Sequence, residues 1–354
     1  MLKKIYILGL LGLTTLTTNA QTQVVTGVMN GKDYGVTYTL PKTAIKANIK
    51  VSKITYTPGE FAKYANRFLH LNQVDQSAST SFKLDQFEIN LVGNPDPEKV
   101  YFVKLKDKTV APNIELNYAG VIKSINIPFK SNKEIAATEL VPATNLKLDP
   151  KRFYTEEILM ANSTGKIAEL VAKEIYAIRE SRNSLLRGEY DDAPVDGEFL
   201  KILLNKMDEQ ESALLSLFTG STEVTPITKS IELDITDEFQ EMVIARFSTK
   251  VGVVDADNLI GEPITISLKD LKTVRIDENA KGKAKQEGIA YNLPGRGYIE
   301  VNYQGKTISK CEFPLTQFGT VEFLAPALFN KKSTIQVSFD VQTGGLLKVN
   351  QEEM

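Results

Sequence analysis

One histidine and one cysteine limit the nucleophilic and metal chemistry open to this chain of 354 residues. Any Ser-His-Asp or Cys-His mechanism would have to run through His70. A single His cannot supply a three-His zinc site or an HExxH pair. A single Cys cannot form an internal disulfide or a Cys-rich zinc or iron–sulfur site. With Phe61 at zero on a helical wheel, His70 falls about 180° away, beside Lys63, Asn66 and Arg67. No carboxylate there orients the ring, so His70 reads as an exposed surface residue. Cys311 lies in strand-like Lys310-Cys311-Glu312-Phe313-Pro314, with neither a His nor a helix N-terminus beside it. It reads as a half-buried structural thiol.

Carboxylates are plentiful, so a paired-carboxylate glycosidase stays open; such a pair is defined by a spacing of roughly 5 to 9.5 Å in space, which sequence does not display. Asp255-Ala256-Asp257-Asn258 resembles a calcium loop faintly, but Ile260 and Ile266 stand where Gly and Glu are needed. Leu293-Pro294-Gly295-Arg296-Gly297 is turn sequence with one cation, and Glu300 stands where a dinucleotide fingerprint needs its third Gly.

The most informative polar residues sit in the middle of the chain. With Ile167 at zero, Glu174 lies near about 340° and Arg182 near about 60°, inside an apolar stripe. With Phe199 at zero, Lys206 lies near about 340° and Gln210 near about 20°. A charge on a buried stripe must be paired or reach solvent. We expect a polar layer that sets helix register, with Glu174 facing Gln210. The binding candidates are Glu174, Arg182 and Arg296; no catalytic residue, metal ligand set or cofactor is expected.

The elements that must position these residues follow from periodicity. Alternation at Val36, Tyr38 and Leu40, at Ile45, Ala47, Ile49 and Val51, and at Tyr101, Val103 and Leu105 marks strands. Phe82 and Leu84 are even, whereas Phe87, Ile89 and Leu91 are odd, which predicts a bulge near Asp85-Gln86. Asn94-Pro95-Asp96-Pro97 predicts a turn between two strands. Thr57-Pro58-Gly59-Glu60 fits a capping box before the stripe Phe61, Tyr64, Ala65, Phe68 and Leu69. Two longer stripes, Ile167 to Leu186 and Phe199 to Leu217, flank a break at Gly188 and predict an antiparallel helical hairpin, with Asp196 as a cap for the second helix. Strands return from Pro226 to Val349, interrupted by a Lys/Gly-rich loop over 277–288.

Met1-Leu2-Lys3-Lys4, the apolar run Ile5 to Leu13 and Thr18-Asn19-Ala20 have the layout of a cleavable export signal. The apolar run is too short for a membrane span, which needs roughly 20 residues. No Cys is near the cleavage point, so a lipoprotein anchor is not expected. The expected organisation is a signal over 1–20, a β-rich domain with one short helix over 21–150, a helical hairpin over 151–222 and a β-rich domain over 223–354. The expected fold is α+β, mainly β, with two β-sandwich-like regions flanking a central antiparallel helical hairpin. Lys and Arg number 42 against 44 Asp and Glu, so the near-neutral net charge of -2 argues against a nucleic-acid partner. Loss of the signal would remove Lys3 and Lys4 and take that charge to -4.

Several stretches resemble one family. Tyr56-Thr57-Pro58-Gly59-Glu60-Phe61 with Tyr64-Ala65 is similar to its N-terminal signature. Glu174 to Arg182 and Leu217-Phe218-Thr219-Gly220 are similar to its hairpin. Leu293-Pro294-Gly295-Arg296 and Gln317-Phe318-Gly319 are similar to its C-terminal part. The family is an uncharacterised group of exported Gram-negative bacterial proteins, domain-of-unknown-function family four-eight-three-one. The resemblance implies export and a shared architecture, and carries over no catalytic residue. The expected function is an exported, non-catalytic envelope protein, periplasmic or secreted, that acts as a binding or structural scaffold with an envelope protein partner or as a homo-oligomer. The alternatives are a carboxylate-based glycoside hydrolase and a non-catalytic glycan binder; the absence of Trp weakens the glycan-binding reading and 13 Tyr keep it open.

Overall fold

Two long hairpins, each interrupted by bulges, organise the chain. The computed structural model describes residues 23–26, 35–104, 114–127, 148–189, 197–274, 288–325, 328 and 333–353. The expected signal over 1–20, Leu105, Asp196 and most of the 277–288 loop lie outside the described residues. The strands are β1 (Gln23–Thr26), β2 (Gly35–Thr57), β3 (Ser79–Lys104), β4 (Ile114–Leu116), β5 (Ile122–Ile125), β6 (Ser221–Asp234), β7 (Phe239–Ser248), β8 (Gly252–Val254), β9 (Glu262–Asp270), β10 (Ile289–Tyr303), β11 (Lys306–Leu324), β12 (Ser333–Phe339) and β13 (Leu346–Glu353). The helices are α1 (Ala65–Leu69), α2 (Glu156–Met160), α3 (Thr164–Arg187) and α4 (Gly197–Thr219), with 3-10 turns at Ala62–Tyr64 and Pro150–Phe153.

The described strands form three sheets, in the orders β1-β3-β2-β6, β11-β10-β9-β7-β8 and β13-β12-β5-β4. The fold is α+β and mainly β, with the helices interleaved among the strands. Two of the three sheets mix strands from both β-rich regions of the sequence. β6, from after the helices, pairs with β2, and β12, from near the C-terminus, pairs with β5. Alternation reveals which face of a strand turns inward, but not which strand lies beside it.

β2 has 23 residues and β3 has 26, far beyond the usual ~3–10; at ~3.3 Å per residue β2 extends about 75 Å. Bulges make this possible by changing which face is buried. Tyr38 and Leu40 enter one core with Tyr101, Val103, Ile122, Val337 and Phe339. Ile45, Ala47, Ile49 and Val51 enter another with Phe247, Ile266, Ile299, Val301 and Leu315. The β10–β11 hairpin divides in the same way, because Ile289 and Leu324 belong to the first of these cores.

The bulge predicted near Asp85-Gln86 is present. Lys50 lies opposite Gln86 and Val51 opposite Leu84, leaving Asp85 as the extra residue. The turn predicted at Asn94 to Pro97 does not end a strand. Pro95 lies opposite Pro41 and Val100 opposite Thr39, so residues 96–99 form an excursion within β3. The prolines give a local turn signal, and the flanks then pair again with the same neighbour.

The predicted capping box does not form. Thr57 remains in β2, and neither the 3-10 turn nor α1 has a side-chain N-cap. A tertiary acceptor replaces it: Phe61 N–H donates to the Leu217 carbonyl at 2.7 Å. The apolar stripe still buries Phe61, Ala65 and Leu69, against Val171, Ile175, Leu214 and Phe218 of α3 and α4. Ile158 of α2 joins them, so α3 and α4 are part of a larger helical head. Ser163 caps α3 through Lys166 N–H, and Gly188 ends it at φ 68°, a left-handed conformation that glycine adopts without strain. Phe199, placed on the predicted stripe of α4, is 55% exposed, because the N-terminal half of α4 extends past the core.

Candidate functional site

The predicted polar layer between α3 and α4 exists and includes Arg182, but its other members differ. Arg179 Nε donates to Glu211 Oε1 at 2.6 Å, and Arg182 Nη1 donates to Asp208 Oδ1 at 2.6 Å. Arg182 Nη1 also lies 2.9 Å from Glu211 Oε2, close enough for ion pairing but without an aligned hydrogen bond. The hydrogen bond that Arg182 donates to Asp208 and the charge of Glu211 raise the Arg182 pKa. The Glu211 side chain is only 11% exposed and the Asp208 side chain 57%, so the layer runs from the core to solvent. Glu174 and Gln210 take no part in it. Arg179 and Glu211 each lie about 120° from the wheel origins used above, at the rim of each stripe; that matching rim position was the available signal. Arg179 also stacks over the Tyr176 ring at 5.8 Å, and Tyr176 Oη donates to the Phe68 carbonyl, tying α3 to α1.

Between the two β cores lies a seam that the sequence did not reveal. Both long hairpins bulge there, β2–β3 at Thr39/Pro41 and β10–β11 at Leu293/Gly295. Thr43 N–H donates to Thr316 Oγ1, and Thr316 N–H donates to Thr43 Oγ1, each at 3.0 Å. Gln317 Nε2 donates to the carbonyls of Thr43 and Ile235. Asn292 Nδ2 donates to the carbonyls of Pro41 and Thr343 at 2.9 and 2.8 Å. Thr43, Asn292 and Thr316 are buried. Tyr38 completes the set. Its hydroxyl donates to the Ala290 carbonyl and accepts from Ala290 N–H, and burial pushes its pKa up.

The stretches that carry the family resemblance meet in pairs. Leu293-Pro294-Gly295 and Gln317-Phe318-Gly319 close on each other in the seam, where a Cβ on Gly319 would collide with the Leu293 carbonyl. At the head, Phe61 N–H reaches Leu217, Tyr56 Oη donates to the Thr219 carbonyl at 2.9 Å, and the Phe61 and Phe218 rings lie 5.5 Å apart. Arg296 points elsewhere: its guanidinium lies 3.1 Å from Glu312 on an exposed face of β10–β11.

Two open grooves, among several in the described residues, bear on function. One of about 700 Å³ lies along α4, lined by Leu148, Pro150, Asn205, Asp208, Glu209 and Ser212. Its carboxylates are engaged, Asp208 by Arg182 and Glu209 by Lys206. The other, about 710 Å³, lies on the second sheet beside Glu238, Glu241, Ser267, Tyr298 and Glu300. His70 is exposed at the end of α1. Cys311 is half-buried, and burial raises its thiol pKa. In the Asp255 loop the cation is protein-borne: Arg246 donates to the carbonyls of Ala256 and Gly261, and Asp255 accepts from Lys229. Among the described residues no group of three or more His, Cys, Asp or Glu is arranged to hold a metal ion, and no helix is long and apolar enough to cross a membrane.

These features define a mainly β, α+β protein whose signature residues join its parts. The family described as Domain of unknown function (DUF4831) matches residues 34–347, and the chain belongs to it. No curated protein and no solved structure matches the chain.

Proposed function

We propose that this protein is an exported, non-catalytic scaffold of the cell envelope, which presents a rigid surface to another envelope protein. The supporting observation is where its polar side chains are engaged. Thr43, Asn292, Thr316 and Gln317 hold strands to strands, and Arg179, Arg182, Asp208 and Glu211 hold helix to helix. Groups so committed stabilise architecture rather than a transition state. In this reading the first two sheets act as a sandwich-like body, α3 and α4 form the hairpin of the head, and the leader over 1–20 is cleaved on export. The test is expression of the full chain in a Gram-negative host, followed by fractionation, N-terminal sequencing and native co-purification. We expect a chain starting at Gln21 in the envelope fraction, with a stoichiometric partner. An intact Met1 in the cytoplasm, or hydrolysis of a glycan that disappears when a groove carboxylate is replaced, would overturn it.

The groove beside Tyr298 favours a second reading, a glycan-binding face, because an aromatic ring flanked by Glu238, Glu241 and Glu300 offers stacking and hydrogen-bond acceptors together. A glycan array on which wild type and Tyr298→Ala are equally blank would dismiss it.

A further inference from the structure

β11 is an edge strand: β10 pairs with it on one side, and among the described residues no strand pairs with it on the other. The direction of its free main-chain groups follows from its neighbour. Arg296 accepts from Leu271 N–H and donates its own N–H to Thr273 Oγ1, so its main chain faces β9. Alternation then turns Gly297 and Ile299 toward β11 and turns their opposites, Phe313 and Cys311, back toward β10. The N–H and C=O groups of Lys310 and Glu312 therefore point out of the sheet. Both side chains are exposed, and Lys310 has no ion-pair partner among the described residues.

We infer that two copies of this chain pair antiparallel through their β11 edges, with the two-fold axis at Cys311. In that register Lys310 lies opposite the second copy's Glu312, and Glu312 opposite the second copy's Lys310. These are the hydrogen-bonded positions, so they supply four main-chain hydrogen bonds. On the outer face each pair sets an ammonium against a carboxylate, which stabilises a cross-strand pair. Arg296, already 3.1 Å from Glu312, adds a second cation to each cluster. The two Cys311 residues meet at the non-hydrogen-bonded position, with Cα atoms about 4.5 Å apart, inside the ~4.4–6.8 Å range of a disulfide. The contact is short: Pro314 lacks an N–H at one end, and a bulge lies between Thr307 and Ser309 at the other. The dimer is therefore concentration-dependent. This deepens the scaffold reading by naming one binding surface; its failure would leave a different envelope partner possible.

Sedimentation equilibrium of the mature chain under reducing conditions, over a range of about 1 μM to 1 mM, reads the association directly. A second arm uses glutathione disulfide as oxidant. Two Cys311 thiols lose two protons and two electrons as the Sγ–Sγ bond forms, and glutathione disulfide takes them up to become two glutathione thiols. Burial keeps the Cys311 thiol protonated, so chance encounters cross-link slowly. We expect self-association, and cross-linking to a covalent dimer. Lys310→Glu should weaken both by at least about tenfold, because each pair becomes like-charged. Lys310→Glu combined with Glu312→Lys should restore both. Cys311→Ser should abolish the covalent dimer and leave sedimentation unchanged. Unchanged melting temperatures will show that the variants fold. A monomeric mass at every concentration, or equal cross-linking of wild type and Lys310→Glu, would overturn the inference.

Discussion

The seam around Thr43, Thr316 and Gln317 and the layer around Arg179, Arg182 and Glu211 both join two elements with polar side chains, and they do so in opposite ways. In the seam the groups are neutral, Thr43 and Thr316 are buried and Gln317 is half-buried, and most of their bonds go to main-chain atoms. Such bonds fix strand register, because a one-residue slip would unpair them all. In the head the groups are charged and bond only to each other's side chains, and Arg182 keeps 29% exposure. These bonds tune the approach of two helices that apolar packing already brings together, and salt can screen them. The β body is thus specified by its polar groups, and the helical head by its apolar ones.

The contrast can be broken at its strongest point. Gly319→Val should cost about 3 kcal/mol of stability, because the new side chain meets the Leu293 carbonyl where no backbone can yield. Gly197, at the start of α4, has open space around it, and Gly197→Ala should change stability by less than about 1 kcal/mol. Equal urea midpoints for the two variants would end the distinction. Asn292→Ala should cost about 2 kcal/mol by stranding the carbonyls of Pro41 and Thr343, with no dependence on salt. Arg182→Ala should cost about 1 kcal/mol, and the loss should shrink as ionic strength rises. If both losses respond to salt alike, the two junctions do not differ in kind.

The smallest effect concerns Tyr154, whose buried hydroxyl has no hydrogen-bond partner in the head. Burial first, then the charges of Glu60 and Asp149, push its pKa up from 10.0 to about 12. A tyrosine with a raised folded pKa contributes fully below its unfolded value and loses that contribution as pH rises through the folded one. Wild-type stability should therefore fall between pH 10 and about 12, and Tyr154→Phe should flatten that fall while changing neutral stability by less than about 1 kcal/mol. Thermal melts at pH 9 and pH 11 that decline equally for both proteins would show that Tyr154 is solvated.

What sequence could show was local. The parity change from Leu84 to Phe87 marks the Asp85 bulge because side-chain period alone determines it. The stripes of α1, α3 and α4 were legible for the same reason. Arg182 was legible as a charge on an apolar stripe, but its partners were not, since a wheel gives angle and no depth; Asp208 and Glu211 depend on how far α4 is shifted along α3. The seam was invisible because Thr43 and Thr316 are 273 positions apart and neither is unusual in a strand. Sheet order failed likewise: nothing in Pro226 to Asp234 says that it pairs with β2.

The interleaving has a consequence in time. Val337 of β12 lies opposite Ile125 of β5, 212 positions earlier in the chain. At ~5–20 residues per second, a ribosome needs roughly 10 to 40 s to cover that interval. For that period the edge of β5 away from β4 lacks its hydrogen-bonding partner, and the contact order of the finished sheet is high. β5 is made early and completed late, and a chaperone that shields extended chain would act on the segment around Ile122–Ile125.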